Sequence, residues 1–161
     1  MTLTVAPLGA MTGGWLAERW AKRGHDDANL RVLLIAAILT LPGSVLFPLM
    51  PRAALAVALS AYATFVGGWG AGPLNAALQI VTPNQMRGQV TALFLLTFNL
   101  IGYAVGPTLV AVFTQYVFHS EAMIGHSMAA VALTMGPLGV LNWALGRKPY
   151  ARSVEQAKAW Q

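Results

Sequence analysis

At 161 residues the chain has the length of one domain, yet 57% of its residues are hydrophobic and only 9% are charged, against about 25% in ordinary globular domains. The charged residues cluster and leave five charge-free stretches, Thr2–Ala17, Val32–Pro51, Ala53–Met86, Gly88–Ser120 and Ala122–Gly146. Soluble helices of such length carry a polar stripe, and these do not, so a soluble fold is excluded; cysteine is absent, so no disulfide or thiolate-metal framework is available.

A spanning helix needs about 20 mostly apolar residues. Four of the five stretches meet that length and the first falls just short. The sequence predicts an all-α, polytopic transmembrane helical bundle of about five spans over residues 1–147, followed by a cytoplasmic tail over residues 148–161. The first span ends in Gly14-Trp-Leu-Ala-Glu-Arg-Trp-Ala-Lys-Arg23, a charged hairpin between two apolar runs, as expected of a short loop at a membrane surface.

If successive spans alternate in direction, one side holds Arg19, Lys22, Arg23 and Arg31, then Arg87, then Arg147, Lys148, Arg152 and Lys158. That is nine of the ten basic residues; the other side keeps Arg52. Short loops rich in Lys and Arg stay cytoplasmic, so the C-terminus is expected inside. The net charge of +5 is topogenic and calls for the lipid bilayer as partner, not a nucleic acid. This arrangement puts Met1 outside or within the outer leaflet. A signal peptide carries its charge ahead of the apolar run, whereas here the charge follows. The chain is therefore expected to begin inside a helix of something larger.

The second span, Val32 to Pro51, has Thr40 and Ser44 as its few polar residues and suits a lipid-facing position. The third carries Ser60, Tyr62 and Thr64, then Gly67-Gly-Trp-Gly-Ala-Gly-Pro73, then Asn75 and Gln79, with Pro83 expected to end it. The fourth holds Thr97, Asn99, Tyr103, Thr108 and Gln115, and the fifth His126, Ser127, Thr134 and Asn142. Polar groups in hydrocarbon turn toward other helices or a wet cavity, so the third and fourth spans are the better candidates to line a path. Asn75, Gln79, Asn99 and Tyr103 are the cavity candidates, Asn75 and Gln79 sharing a helix face at a spacing of four. An interhelical hydrogen bond is the competing role for each.

Pro42-Gly43, Gly72-Pro73, Gly106-Pro107 and Gly136-Pro137 each fall inside a different span. Proline kinks a helix and glycine admits a neighbouring backbone. Gly9/Gly13, Gly68/Gly72 and Gly102/Gly106 have the spacing that favours close helix crossing. Static packing and hinges in a working cycle both account for this pattern.

Gly14–Arg23 resembles the cytoplasmic loop motif of the major facilitator superfamily, Gly-x-x-x-Asp-Arg-x-Gly-Arg-Arg. Gly14 takes the glycine, Glu18 the acid, Arg19 the first arginine, and Lys22 and Arg23 the basic pair; Glu for Asp and Ala21 for Gly are departures. With four spans following, the likeness implies helices eight to twelve, with helices one to seven missing from this chain. Val81–Thr91, with Pro83, Arg87 and Gly88, resembles the family's loop between helices ten and eleven. Together with Phe98–Pro107 it is similar to the Spinster-like branch, which implies lipid-like substrates.

The resemblance implies a cytoplasmic gate in which Glu18 meets a helix N-terminus of the opposite bundle, while Arg19, Lys22 and Arg23 meet carboxylates or headgroups. Arg87 is a candidate partner for Glu18 within this half; plain anchoring of the loop is the alternative. Helices ten and eleven flank the family's central cavity, which agrees with the polar distribution. His126 is read as a packing or interfacial residue, and His119-x-Glu121-x-x-x-x-His126 does not have metal-ligand spacing, with Glu121 expected in an exposed outer loop. No span holds Asp, Glu, Lys or Arg away from its ends, so any proton-coupling group is expected in the missing part.

Three readings follow: part of a secondary transporter for a small, lipid-like or organic-anion solute; a small non-transporting multi-pass protein with a structural or interaction role; and an intramembrane enzyme. The last has no nucleophilic constellation behind it, so no enzyme activity, cofactor or metal is expected. The expected setting is a bacterial inner (plasma) membrane.

Overall fold

The computed structural model describes residues 2–157, the side chains of 2, 3 and 121 excepted. The expectations for Met1, for Lys158 and for the side chain of Glu121 lie outside the described residues. The described chain is an all-α bundle: α1 (Thr2–Ala21), α2 (Ala28–Leu46), α3 (Ala53–Gly68), α4 (Ala71–Ile80), α5 (Arg87–Val112) and α6 (Ile124–Ala157). Among the described residues, four segments are long and apolar enough to cross a membrane: Ala28–Leu49, Ala53–Ile80, Asn84–Val117 and Ile124–Ala157. The chain has the build of a multi-pass membrane protein. α1, with its Glu18-Arg19 end, falls outside that set.

The third span is two helices. Pro73 has no N–H for the carbonyl of Trp69, four residues back, and the helix is interrupted at Trp69 and Gly70 between α3 and α4. It resumes as Leu74 N–H bonds to Gly70 O at 3.0 Å. α4 stops at Ile80, since the residue before Pro83 is disfavoured in the helical region.

α1 crosses the third span at this break. A Cβ placed on Gly68 would lie 2.7 Å from the carbonyl oxygen of Ala6. On Gly9 it would collide with the backbone of Phe65, and on Gly13 with that of Trp69. Gly72 completes the seam beside Ala10 and Gly14, and Pro73 is fully buried. Two of the three predicted glycine pairs thus meet each other, backbone against backbone. The third pair is a correction: Gly102 and Gly106 face open space, because α5 stands at the margin of the bundle.

α2 is the central helix, touching α1, α3, α4 and α6. Gly43 lets α3 approach until an added Cβ would be 2.9 Å from the Tyr62 ring, and Tyr62 donates its hydroxyl to Leu39 O at 3.0 Å. α2 was expected to face lipid over most of its surface; Val32, Leu33 and Ala36 are buried instead. A core of Leu30, Leu33 and Ala77, with Leu74, Trp143 and Tyr150 against it, ties α2, α4 and α6 together near one end. None of the described residues of α5 is buried, and its Leu93, Leu96 and Leu100 are each about two-thirds exposed.

Substitutions at the seam and off it separate packing from helix propensity. Gly13→Val is expected to destabilise the bundle by about 1–3 kcal/mol through forced displacement of the third span at Trp69. Gly102→Ala is expected to be neutral or stabilising by up to about 1 kcal/mol. Equilibrium unfolding in mixed micelles checks the pair, and equal losses would contradict the seam.

Candidate functional site

The charged end of α1 and the polar faces of the third and fourth spans are the two places where the sequence puts chemistry. α1 ends in a glycine turn: Gly24 takes φ +79°, its N–H bonds to Ala21 O at 2.9 Å, and His25 N–H reaches Trp20 O at 3.4 Å. A side chain is disfavoured in that left-handed conformation, which suits glycine just past a helix end. This turn carries the chain into α2 within a few residues.

Of the gate residues, Gly14 is half-buried and has room for a side chain. Glu18 pairs with Lys22 at 2.7 Å, both largely exposed. The Arg19 guanidinium lies over the Trp15 ring, 5.1 Å from its centre, and Arg23 is exposed. The candidate pairing of Glu18 with Arg87 is corrected: Arg87 donates its Nε–H to Thr82 O at 3.2 Å. That bond closes the tight turn between α4 and α5, while Lys22, one helical turn on, lies on the same face as Glu18.

The strongest charged arrangement was missed in the sequence. Asp27, at the N-terminus of α2, has a side chain 12% exposed and is held by two arginines. Arg31 Nε stands 2.7 Å from Oδ1. Arg147, from α6, donates to Oδ2 through Nε at 2.9 Å and through an Nη at 2.6 Å. Asn29 adds a bond to the Tyr150 hydroxyl at 3.4 Å.

Burial by itself raises the Asp27 carboxyl, but the contacts and charges of Arg31 and Arg147 outweigh it and hold the group below the ordinary carboxylate range. A stably ionised, fully paired carboxylate is a fixed joint and not a proton carrier. The Asp27-to-Arg31 spacing of four was a readable signal. Its link to Arg147 was not, since 120 residues separate the two.

α6 continues as a helix to Ala157, through the residues read as tail. Val154 and Ala157 are buried, and with Arg147 and Tyr150 they recur at helical spacing on one face. The α6 extension therefore docks against the start of α2.

The four cavity candidates do not converge. Asn75 is half-buried and returns its amide to Ala71 O at 2.9 Å; Asn99 returns its own to Leu95 O at 2.7 Å. Neither amide nitrogen makes the expected interhelical bond. Gln79 is exposed, and Tyr103 is 81% exposed. A cavity of about 420 Å³ lies elsewhere, between α2, the third span and α6, with Leu33, Thr40, Gly67, Gly136 and Trp143 in its walls. Pro107 lines a different cleft, between α5 and α6. Among the described residues no group of three or more His, Cys, Asp or Glu could hold a metal ion.

Comparison with family models, with curated proteins and with solved structures found no match.

Asp27→Asn is expected to destabilise the bundle by about 1–3 kcal/mol, between the values for exposed and fully buried pairs. The folded-state pKa of Asp27 lies below its unfolded value of about 3.9. Its contribution is therefore complete above about pH 4 and is lost as pH falls through the lower, folded-state pKa. Melting from pH 7 to pH 3 should show the gap between wild type and Asp27→Asn closing at the acid end.

Proposed function

We propose that this chain forms the C-terminal part, helices eight to twelve, of a secondary active transporter of the major facilitator superfamily, Spinster-like branch. Its solute is small and lipid-like or an organic anion, carried by alternating access. The observation that carries this reading is the crossing of α1 over a third span broken at its glycine-proline turn. Discontinuous helices at mid-membrane are where transporters of several folds build their moving parts. A seam of backbone against backbone has no side-chain ridges to lock it, so two helices can rock along it.

The motif residues at the end of α1 are compatible with a gate. Glu18 and Lys22 form an exposed pair, which water screens and which a partner from another bundle can replace. α5 offers Asn99 and Tyr103 on open surface, where the missing helices, one to seven, would complete a cavity. The positive-inside rule puts the Gly14–Arg23 loop and the end of α6 on the cytoplasmic side of a bacterial inner membrane. The structural reading, a small non-transporting membrane protein, draws on the self-satisfied amides of Asn75 and Asn99, which do not by themselves form a binding site.

Two measurements separate these readings. The gene upstream of Met1 is expected to encode seven further in-frame spans, and a translation start with no such spans would contradict the proposal. In the full-length carrier, a cysteine introduced at Tyr103 should react with a membrane-impermeant maleimide, and Glu18→Gln should raise its reactivity from the cytoplasmic side. A reporter unreactive from both sides would favour the structural reading.

A further inference from the structure

The turn between α5 and α6, at the end of the bundle opposite the Asp27 joint, borders two open grooves that share Thr114 and Gln115. The larger, about 820 Å³, is walled by Pro107, Val110 and Ala111 of α5 and by Ile124 and Met128 of α6. The smaller, about 280 Å³, adds His119 and Ser120. Together they form one cleft with an apolar body and a polar mouth.

Three local features build this cleft. Phe113–Val117 is a π-helical turn, with Phe118 N–H bonded to Phe113 O at 3.0 Å; such turns recur at functional sites. His119 takes φ +50°, uncommon for a residue with a side chain, and so reverses the chain at the mouth. Thr114 donates to Ser127 Oγ at 2.8 Å in a buried contact that joins the two helices at the cleft floor.

We propose that this cleft holds a resident glycerophospholipid, one acyl chain along the α5–α6 groove and the phosphate at Gln115, His119 and Ser120. The polarity and the depth argue for it together. From Pro107 to Val117 the helix rises about 15 Å, so the groove runs from the hydrocarbon region to the end of the span. Its apolar walls offer an aqueous solute no polar partners, whereas a lipid chain is already present at that depth. The mouth offers an amide, an imidazole and a hydroxyl, all able to donate to phosphate oxygens.

Native mass spectrometry of the full chain, reconstituted in phosphatidylethanolamine–phosphatidylglycerol vesicles and then extracted, tests it. Wild type should retain a single phospholipid under detergent washing. Ala111→Phe, which fills the groove from an exposed position, should lower the retained fraction about tenfold, equivalent to about 1.4 kcal/mol. Ile124→Trp should do the same from the other wall, so the test survives if one variant misfolds. His119→Asn, which tolerates the left-handed backbone, should weaken phospholipid retention and leave diacylglycerol retention unchanged. Equal retention by wild type and both groove variants would overturn the proposal, as would diacylglycerol held as firmly as phospholipid by wild type.

Discussion

Backbone contact between α1 and the broken third span is the constraint on which the rest of the bundle depends. Between helices in lipid there is little hydrophobic driving force, because lipid chains are as apolar as leucine. Association then rests on close packing and on hydrogen bonds. Gly9, Gly13 and Gly68 supply the packing by bringing main chain to within contact of main chain. The break at Trp69 and Gly70, set by Pro73, lets the third span follow that line. α2 lies against both and passes the arrangement on to α6.

The two ends of the bundle are finished differently. At one, a half-buried carboxylate with two guanidinium partners joins the start of α2 to the far end of α6. At the other, a hydroxyl pair, Thr114 and Ser127, joins α5 to α6 beneath an open cleft. The charged joint is held from within the chain, by two hydrogen bonds from Arg147 and an ion pair with Arg31. The cleft end has fewer internal contacts and an unusual backbone, which is where a ligand can contribute to the structure. α5 is the element least committed to this bundle: its polar groups bond back to their own helix and its leucines face outward.

Much of this was legible in the sequence because membrane spans follow from composition. The charge-free runs fixed the helices, and the glycine spacings at 9/13 and 68/72 picked out the true seam. The same spacing at Gly102/Gly106 misled, because it reports that a close approach is allowed and not which neighbour arrives. Glu18 and Arg87 illustrate another limit: complementary charge on one side of a membrane does not bring two residues together when each has a nearer partner, Lys22 and Thr82. Asp27 and Arg147 are the converse, a contact made by the fold across 120 residues. The α6 extension was hidden because its charges looked like a tail, although half-buried Tyr150 and buried Val154 and Ala157 recur at helical spacing.

Because the chain has no cysteine, the seam can be tested with a single introduced pair in a bilayer. Gly14 and Gly72 have room for side chains, and an added Cβ on Gly72 lies 3.8 Å from the Gly14 Cα, within reach of a disulfide. Gly14→Cys with Gly72→Cys should cross-link under mild oxidant, whereas Gly14→Cys with Gly102→Cys should not. Failure of the first pair to cross-link, with both thiols still reactive toward maleimide, would contradict the crossing of α1 over the third span.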